Sequence, residues 1–154
     1  GTVSGATVEN APSGEDDGLV YETGTWDAMV TDGSTDMTMH ATYRTGDYTR
    51  IGNIVHVSGD FATSSLQGLT SETIRITGLP FTSANDVGVY SGGGAAYGAG
   101  FDITAGESVS YYVAKNVAYI NLMVWNAATG TAAMTATEWS ANGEIILGFS
   151  YKVA

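Results

Sequence analysis

Trp26, Trp125 and Trp139, with nine tyrosines, carry most of the chemical potential of this 154-residue chain. Their rings offer flat apolar faces with polar edges, which suits stacking on sugar rings while nearby Asn and Asp side chains take hydroxyl hydrogen bonds. Trp26 and Tyr48 continue apolar strand patterns and are expected in the packing. Tyr90, Tyr97 and Trp125 stand near glycine loops or strand ends, where exposure is expected; with Asp86 they form the candidate glycan-binding set. Hydrolysis of a glycosidic bond needs two facing carboxyl groups, and Asp60, Asp86, Asp102, Glu107 and Glu138 qualify by type. Sequence sets no distance between them, so no catalytic residue is assigned. A small hydrolase or lyase working through Asp86, Asp102 or Glu138 stays open as an alternative.

Other chemistries find less support. Ser91 lies among glycines in Gly88-Val89-Tyr90-Ser91-Gly92 but lacks the spacing of a nucleophile elbow, and no local motif ties His40 or His56 to it. Gly92-Gly93-Gly94 has no Lys and Ser/Thr at the offset of a phosphate loop, and reads as tight or closely packed backbone. The two histidines fall in predicted strands 37–43 and 54–62, which could be neighbours in a sheet, yet without cysteine or a third ligand placed by spacing no zinc site is expected. Asp16, Asp17, Asp27, Asp32, Asp36 and Asp47 supply hard oxygen ligands near loops, and Asp32-Gly33-Ser34-Thr35-Asp36 resembles a calcium loop without its full twelve-residue pattern. A solvated acidic rim is favoured over Ca2+, and no cofactor is assigned.

The formal charge is −11, with Arg44, Arg50, Arg75, Lys115 and Lys152 as the fixed cations. Such a balance repels nucleic-acid backbones and anionic membranes, so neither is an expected partner. No apolar run is long enough to cross a bilayer as a helix, and nothing resembles a signal peptide. The start at Gly1 suggests a fragment or processed product. The length fits one domain with a single core. Twenty-one glycines and two prolines, with plentiful Thr, Val, Ile and Tyr, predict short strands joined by glycine turns.

These strands must position whatever chemistry exists. The clearest signal is residues 46–60, where Gly52-Asn53 supplies a two-residue hairpin loop, Tyr48 and Arg50 precede it, and Val55, Val57 and Phe61 follow on one face. Further strands are predicted near 24–31, 37–43, 73–77, 86–91, 96–103, 108–115, 117–125 and 145–153. The alanine-rich segment 127–138 is interrupted by Thr129-Gly130-Thr131 and reads as a loop with at most one helical turn. Residues 1–18, with an acidic 14–18 joint, read as a linker, the end of a fibrous shaft or a disordered tail ahead of a globular 19–154.

Strand 117–125 is largely apolar on both faces, with Val117, Tyr119, Asn121, Met123 and Trp125 opposite Ala118, Ile120, Leu122 and Val124. A two-sheet sandwich wets one face of each sheet, so a neighbouring subunit is the simplest cover for the second. Ile120, Leu122 and Val124, with Ile146 of the last strand, are therefore the expected oligomer contacts. An ordinary central strand beneath a long loop would give the same pattern.

Several pieces recur together: Gly24-Thr25-Trp26, residues 46–53, Val55-His56-Val57-Ser58-Gly59, Ile76-Thr77-Gly78-Leu79-Pro80-Phe81, and Glu138-Trp139 with Gly143. From about Glu22 to Val153 the chain resembles the C-terminal module of phage tail fibres and tailspikes. Such modules often continue Gly-Thr-Trp with Thr-Pro where this chain has Asp27-Ala28. The resemblance implies an all-β, antiparallel, jelly-roll-like β-sandwich in a parallel homotrimer, at the host-facing end of the virion tail. It implies a host cell-surface polysaccharide as partner but transfers no binding residue, because these vary with the receptor. The acidic charge favours a neutral glycan. The alternatives are a purely structural trimerisation or capping domain of a tailspike depolymerase, and a standalone carbohydrate-binding module.

Overall fold

Period-two alternation of apolar and polar residues sorts the strands into two layers that share one core. The computed structural model describes residues 20–154; the proposed linker over 1–18 lies outside them. One layer is formed by β1 (Tyr21–Asp27), β4 (Thr45–Ile51), β5 (Ile54–Ser65), β12 (Glu144–Lys152) and β8 (Tyr97–Ala99), in that order, with β3 (Thr38–Met39) also pairing with β5. The other runs β2 (Met29–Thr31), β6 (Arg75–Thr77), β10 (Tyr119–Ala127), β9 (Val109–Val113) and β7 (Ser91–Gly94), with β11 (Gly130–Ala133) beside β10. We call these sheet A and sheet B. Every strand pair is antiparallel, and the architecture is an all-β sandwich.

The hairpin at the centre of sheet A follows its sequence signal. Ile51 pairs with Ile54, leaving Gly52-Asn53 as the loop, and positive φ is needed at Gly52 alone, as in a type II′ turn. Val55, Val57 and Phe61 point inward with Ile145, Leu147, Phe149 and Tyr151 of β12. From sheet B come Ile76, Ile120, Leu122, Val124, Tyr111 and Val113, all buried. Each such side chain contributes about 1.5–3 kcal/mol by leaving water, so the two inner faces hold the sheets together without disulfides.

Several expectations change here. The predicted strand 24–31 breaks at Ala28, which hands the chain from sheet A to sheet B; Gly78 presses against this corner at φ +100°, where an added Cβ would sit 2.0 Å from the carbonyl oxygen of Asp27. Residues 130–133 form a strand, because Ala127 pairs with Gly130 across a two-residue turn and backbone pairing with β10 overrides the helix propensity of alanine. The single helical turn lies just beyond, in α1 (Ala136–Trp139), capped reciprocally by Thr135 and Glu138. Residues 86–90 form a loop, and the strand starts at Ser91.

Candidate functional site

The outer face of sheet B brings several polar and amphipathic side chains into one cross-strand row. Thr31, Arg75, Asn121, Tyr112 and Gly92 stand side by side across β2, β6, β10, β9 and β7. All belong to the outward half of the alternation whose inward half is Val30, Ile76, Leu122 and Tyr111. Thr31 is covered by the turn that follows it, whose Gly33 N–H and Thr35 carbonyl both bond its hydroxyl. The row that reaches solvent is therefore the half-buried Arg75 and Asn121 with the exposed Tyr112. A groove of about 170 Å³ opens over it, walled by Asp32, Thr73, Met123 and Ala133.

Arg75 is the unusual member. Its guanidinium lies 4.5 Å from the centre of the Tyr119 ring, a cation–π contact that fixes its plane. Gly33 lies against it so closely that a Cβ there would meet Nη2 at 1.9 Å. Nε is buried with no acceptor, and the one ion pair among the described residues joins Lys152 to Asp86 instead. A held guanidinium whose Nε donor is unmatched is an incomplete hydrogen-bonding arrangement. Asp32 supplies the opposite polarity: its Oδ1 accepts from the N–H groups of Ser34 (2.7 Å) and Thr35 (2.6 Å). These bonds, Thr35 foremost, hold its carboxyl below the usual carboxylate range, with Arg75 adding a smaller push.

The residues expected from sequence are dispersed. Tyr90, 57% exposed, stacks at 6.5 Å on Tyr112 and so borders the row, while Trp125, 54% exposed, follows Met123 along the same face of β10. Tyr97 lies on the other sheet, paired with Ile146, and Asp86 is held 3.1 Å from Lys152 in a surface ion pair. Ile120, Leu122 and Val124 must be corrected as subunit contacts: each is fully buried inside the sandwich. The core and outer faces of β10 are the reverse of those expected from its sequence. Ile146 does face outward, at 38% exposure.

Several of the candidate carboxylates are engaged by local partners. Glu138 Oε2 is engaged by the N–H and hydroxyl of Thr135 at 2.7 and 2.9 Å, although the Asp102 N–H donates to the Glu138 carbonyl nearby. Glu107 accepts from the Thr104 N–H. The Ser91 hydroxyl donates to the Ser150 carbonyl. His40 and His56 are set apart along β5: His40 bonds to Ala62, whereas His56 pairs with Ser150. No group of three metal-ligating side chains occurs among the described residues, and Oδ1 of Asp32 is engaged by its own turn.

No family model matches the chain, and no curated protein matches it. A solved structure does. The Dettilon tailspike protein (gp208) contains a region that superposes with a TM-score of 0.71 at 17% identity, covering 86% of this chain and 24% of that one. The fold occurs in a phage tailspike. The chain spans about a quarter of that tailspike, and at this identity the likeness is one of fold.

Within this tailspike-like sandwich, the residues that sequence reasoning missed are Arg75, Asp32, Asn121, Tyr112 and Tyr119. A signal for two of them, Asn121 and Tyr119, was present. The odd positions of β10 carry Asn121 beside Tyr119 and Trp125, a polar and amphipathic mixture suited to a wet face, whereas the even positions 120, 122 and 124 are purely aliphatic. Arg75 and Tyr112 become legible only once register places them beside Asn121.

Proposed function

We propose that this chain is a jelly-roll-like domain of a phage tailspike or tail fibre, assembled as a parallel homotrimer at the host-facing end of the virion tail, where it binds a cell-surface glycan. The observation that carries this reading is the fold shared with the Dettilon tailspike. The outer face of sheet B adds support, since exposed tyrosine and tryptophan rings interleaved with Arg and Asn suit sugar recognition. Three weak sites on one rigid assembly would gain by avidity, about 100-fold or more. The role proposed is binding, with no catalytic step.

The subunit contact in this reading falls on the outer face of sheet A, where Asp60, Ile146 and Tyr97 form one cross-strand row. Ile146 and Tyr97 are exposed, and Asp60 Oδ1 is buried without a partner, an arrangement that a neighbouring subunit would complete. Light scattering after size exclusion, across a dilution series, tests the assembly. A trimer mass that persists on dilution is expected, and a clean monomer overturns the trimeric reading in favour of an independent sugar-binding module. A persistent trimer that binds no glycan identifies a structural capping domain.

A further inference from the structure

We propose that the groove on the outer face of sheet B is the sugar subsite, and that it takes a neutral pyranose through two adjacent hydroxyls, held between Arg75 and Asp32 with the ring stacked on Tyr112. The inference rests on the glycan-binding reading above and adds the location and the class of sugar. Three features carry it.

Hydrogen-bonding capacity is the first. A guanidinium offers only donors, a carboxylate only acceptors and an amide both. Arg75, Asp32 and Asn121 therefore present both polarities within one groove. A sugar hydroxyl donates and accepts at once, so two neighbouring hydroxyls can satisfy a donor on one wall and an acceptor on the other. The Asn121 amide makes only a long, 3.4 Å bond to the Tyr112 carbonyl and retains capacity for a ligand.

Charge is the second. The positive Arg75 and ionised Asp32 line the same groove and nearly cancel, within a chain of formal charge −11. A ligand carboxylate would gain Arg75 but meet Asp32 and the field of the whole domain. A neutral hydroxylated ring uses both groups without that repulsion.

Shape is the third. The groove's 170 Å³ is small against the roughly 300–1,000 Å³ of sites that enclose a whole drug-sized ligand, which suits one ring of a longer chain. Beside Tyr112, β7 presents Gly92 and Gly94, so no side chain blocks the polymer's exit past the aromatic ring. Tyr90 extends the stacking surface at that end.

The full chain is to be probed on an array of neutral and uronate-bearing bacterial surface oligosaccharides, followed by titration of the binders. Neutral glycans are expected to bind, with Arg75→Met and Tyr112→Ala each raising Kd at least tenfold. Asp32→Asn keeps an acceptor for the backbone turn and guards against misfolding. It should weaken the neutral binders several-fold and strengthen any uronate-bearing glycan. Neutral binding that all three variants leave intact overturns the groove assignment and spares the glycan reading. Binding confined to uronates overturns the neutral class, and a blank array sinks both the subsite and the glycan reading.

Discussion

The outer faces of the two sheets arise from the same alternation yet present opposite chemistry. On sheet A, one row across the face runs Thr25, Asp47, Ser58 and Gly148, and the next Thr23, Thr49, His56 and Ser150. These side chains are short, and polar ones such as His56 and Ser150 engage one another at 3.1 Å. On sheet B the equivalent row carries Arg75, Asn121 and Tyr112, long side chains with a donor left over. A flat ladder of small hydroxyls suits strand formation and surface contact. A row of long amphipathic groups builds relief, and relief with unmatched polarity is what a small ligand requires. In the reading proposed here, the contrast separates two tasks: sheet A would lie against another subunit, and sheet B would hold a ligand.

Exchanging damage between core and outer face is the strongest way to break this comparison. Leu122→Ala empties a fully buried position between the sheets and should cost about 2–5 kcal/mol, read in denaturant melts as a lower midpoint that does not vary with protein concentration. Ile146→Ser alters an outward residue of sheet A and should change monomer stability by no more than about 0.5 kcal/mol while lowering the native mass. If Leu122→Ala instead dissociates an assembly with the melt unchanged, the inward assignment of β10 is wrong.

A gentler test stays within sheet B. Gly92 and Gly94 are two residues apart on β7, yet a Cβ at Gly92 would lie 2.1 Å from the Tyr111 carbonyl oxygen while one at Gly94 meets nothing within 4 Å. Gly92→Ala should therefore push β7 away from β9, costing about 1–3 kcal/mol and exposing the amides of residues 91–94 to hydrogen exchange. Gly94→Ala should leave stability within about 0.5 kcal/mol. Equal behaviour of the two would mean that β7 does not pack as described, and that Tyr112 lacks its glycine border.

Much of the scaffold was legible in the residues and much of the site was not, for a physical reason. The hairpin over 46–60 carries its own turn chemistry in Gly52-Asn53, and the β12 strand is bounded by alternation, so both are local facts. The pairing Arg75–Asn121–Tyr112 is non-local. It depends on two register choices between segments up to 46 residues apart, and a shift of one residue would turn each side chain to the opposite face. The same ambiguity misplaced Ile120, Leu122 and Val124, since a strand apolar on both sides does not reveal which side meets the core. The expected aromatics Tyr90, Trp125 and Tyr97 are all exposed, yet Tyr90 and Trp125 lie at the outer face of sheet B while Tyr97 sits on sheet A because 91–99 crosses between the layers.

The smallest expected effect distinguishes the sheets by pH. In sheet A, burial pushes the Tyr151 hydroxyl up to about 12 from an ordinary 10.0, so its folded form holds the proton more tightly than the unfolded chain. That contribution is complete below pH 10 and is lost as pH rises toward 12. Beside sheet B, backbone N–H groups, chiefly those of Thr35 and Thr70, lower the carboxyls of Asp32 and Glu72 from ordinary values of 3.8 and 4.5. Their contribution is present above those values and lost as pH falls through them; both groups are solvent-exposed, so this acid limb should be shallow. Thermal melts at stepped pH check the two limbs separately. Tyr151→Phe should flatten the loss between pH 10 and 12 at a constant cost of about 1 kcal/mol, because its hydroxyl donates to the Phe81 carbonyl at 3.0 Å. Asp32→Asn and Glu72→Gln together should flatten only the acid limb. If Tyr151→Phe leaves the alkaline slope unchanged, the buried hydroxyl is not the source of that limb, and the alkaline sensitivity belongs to tyrosines elsewhere on the sandwich.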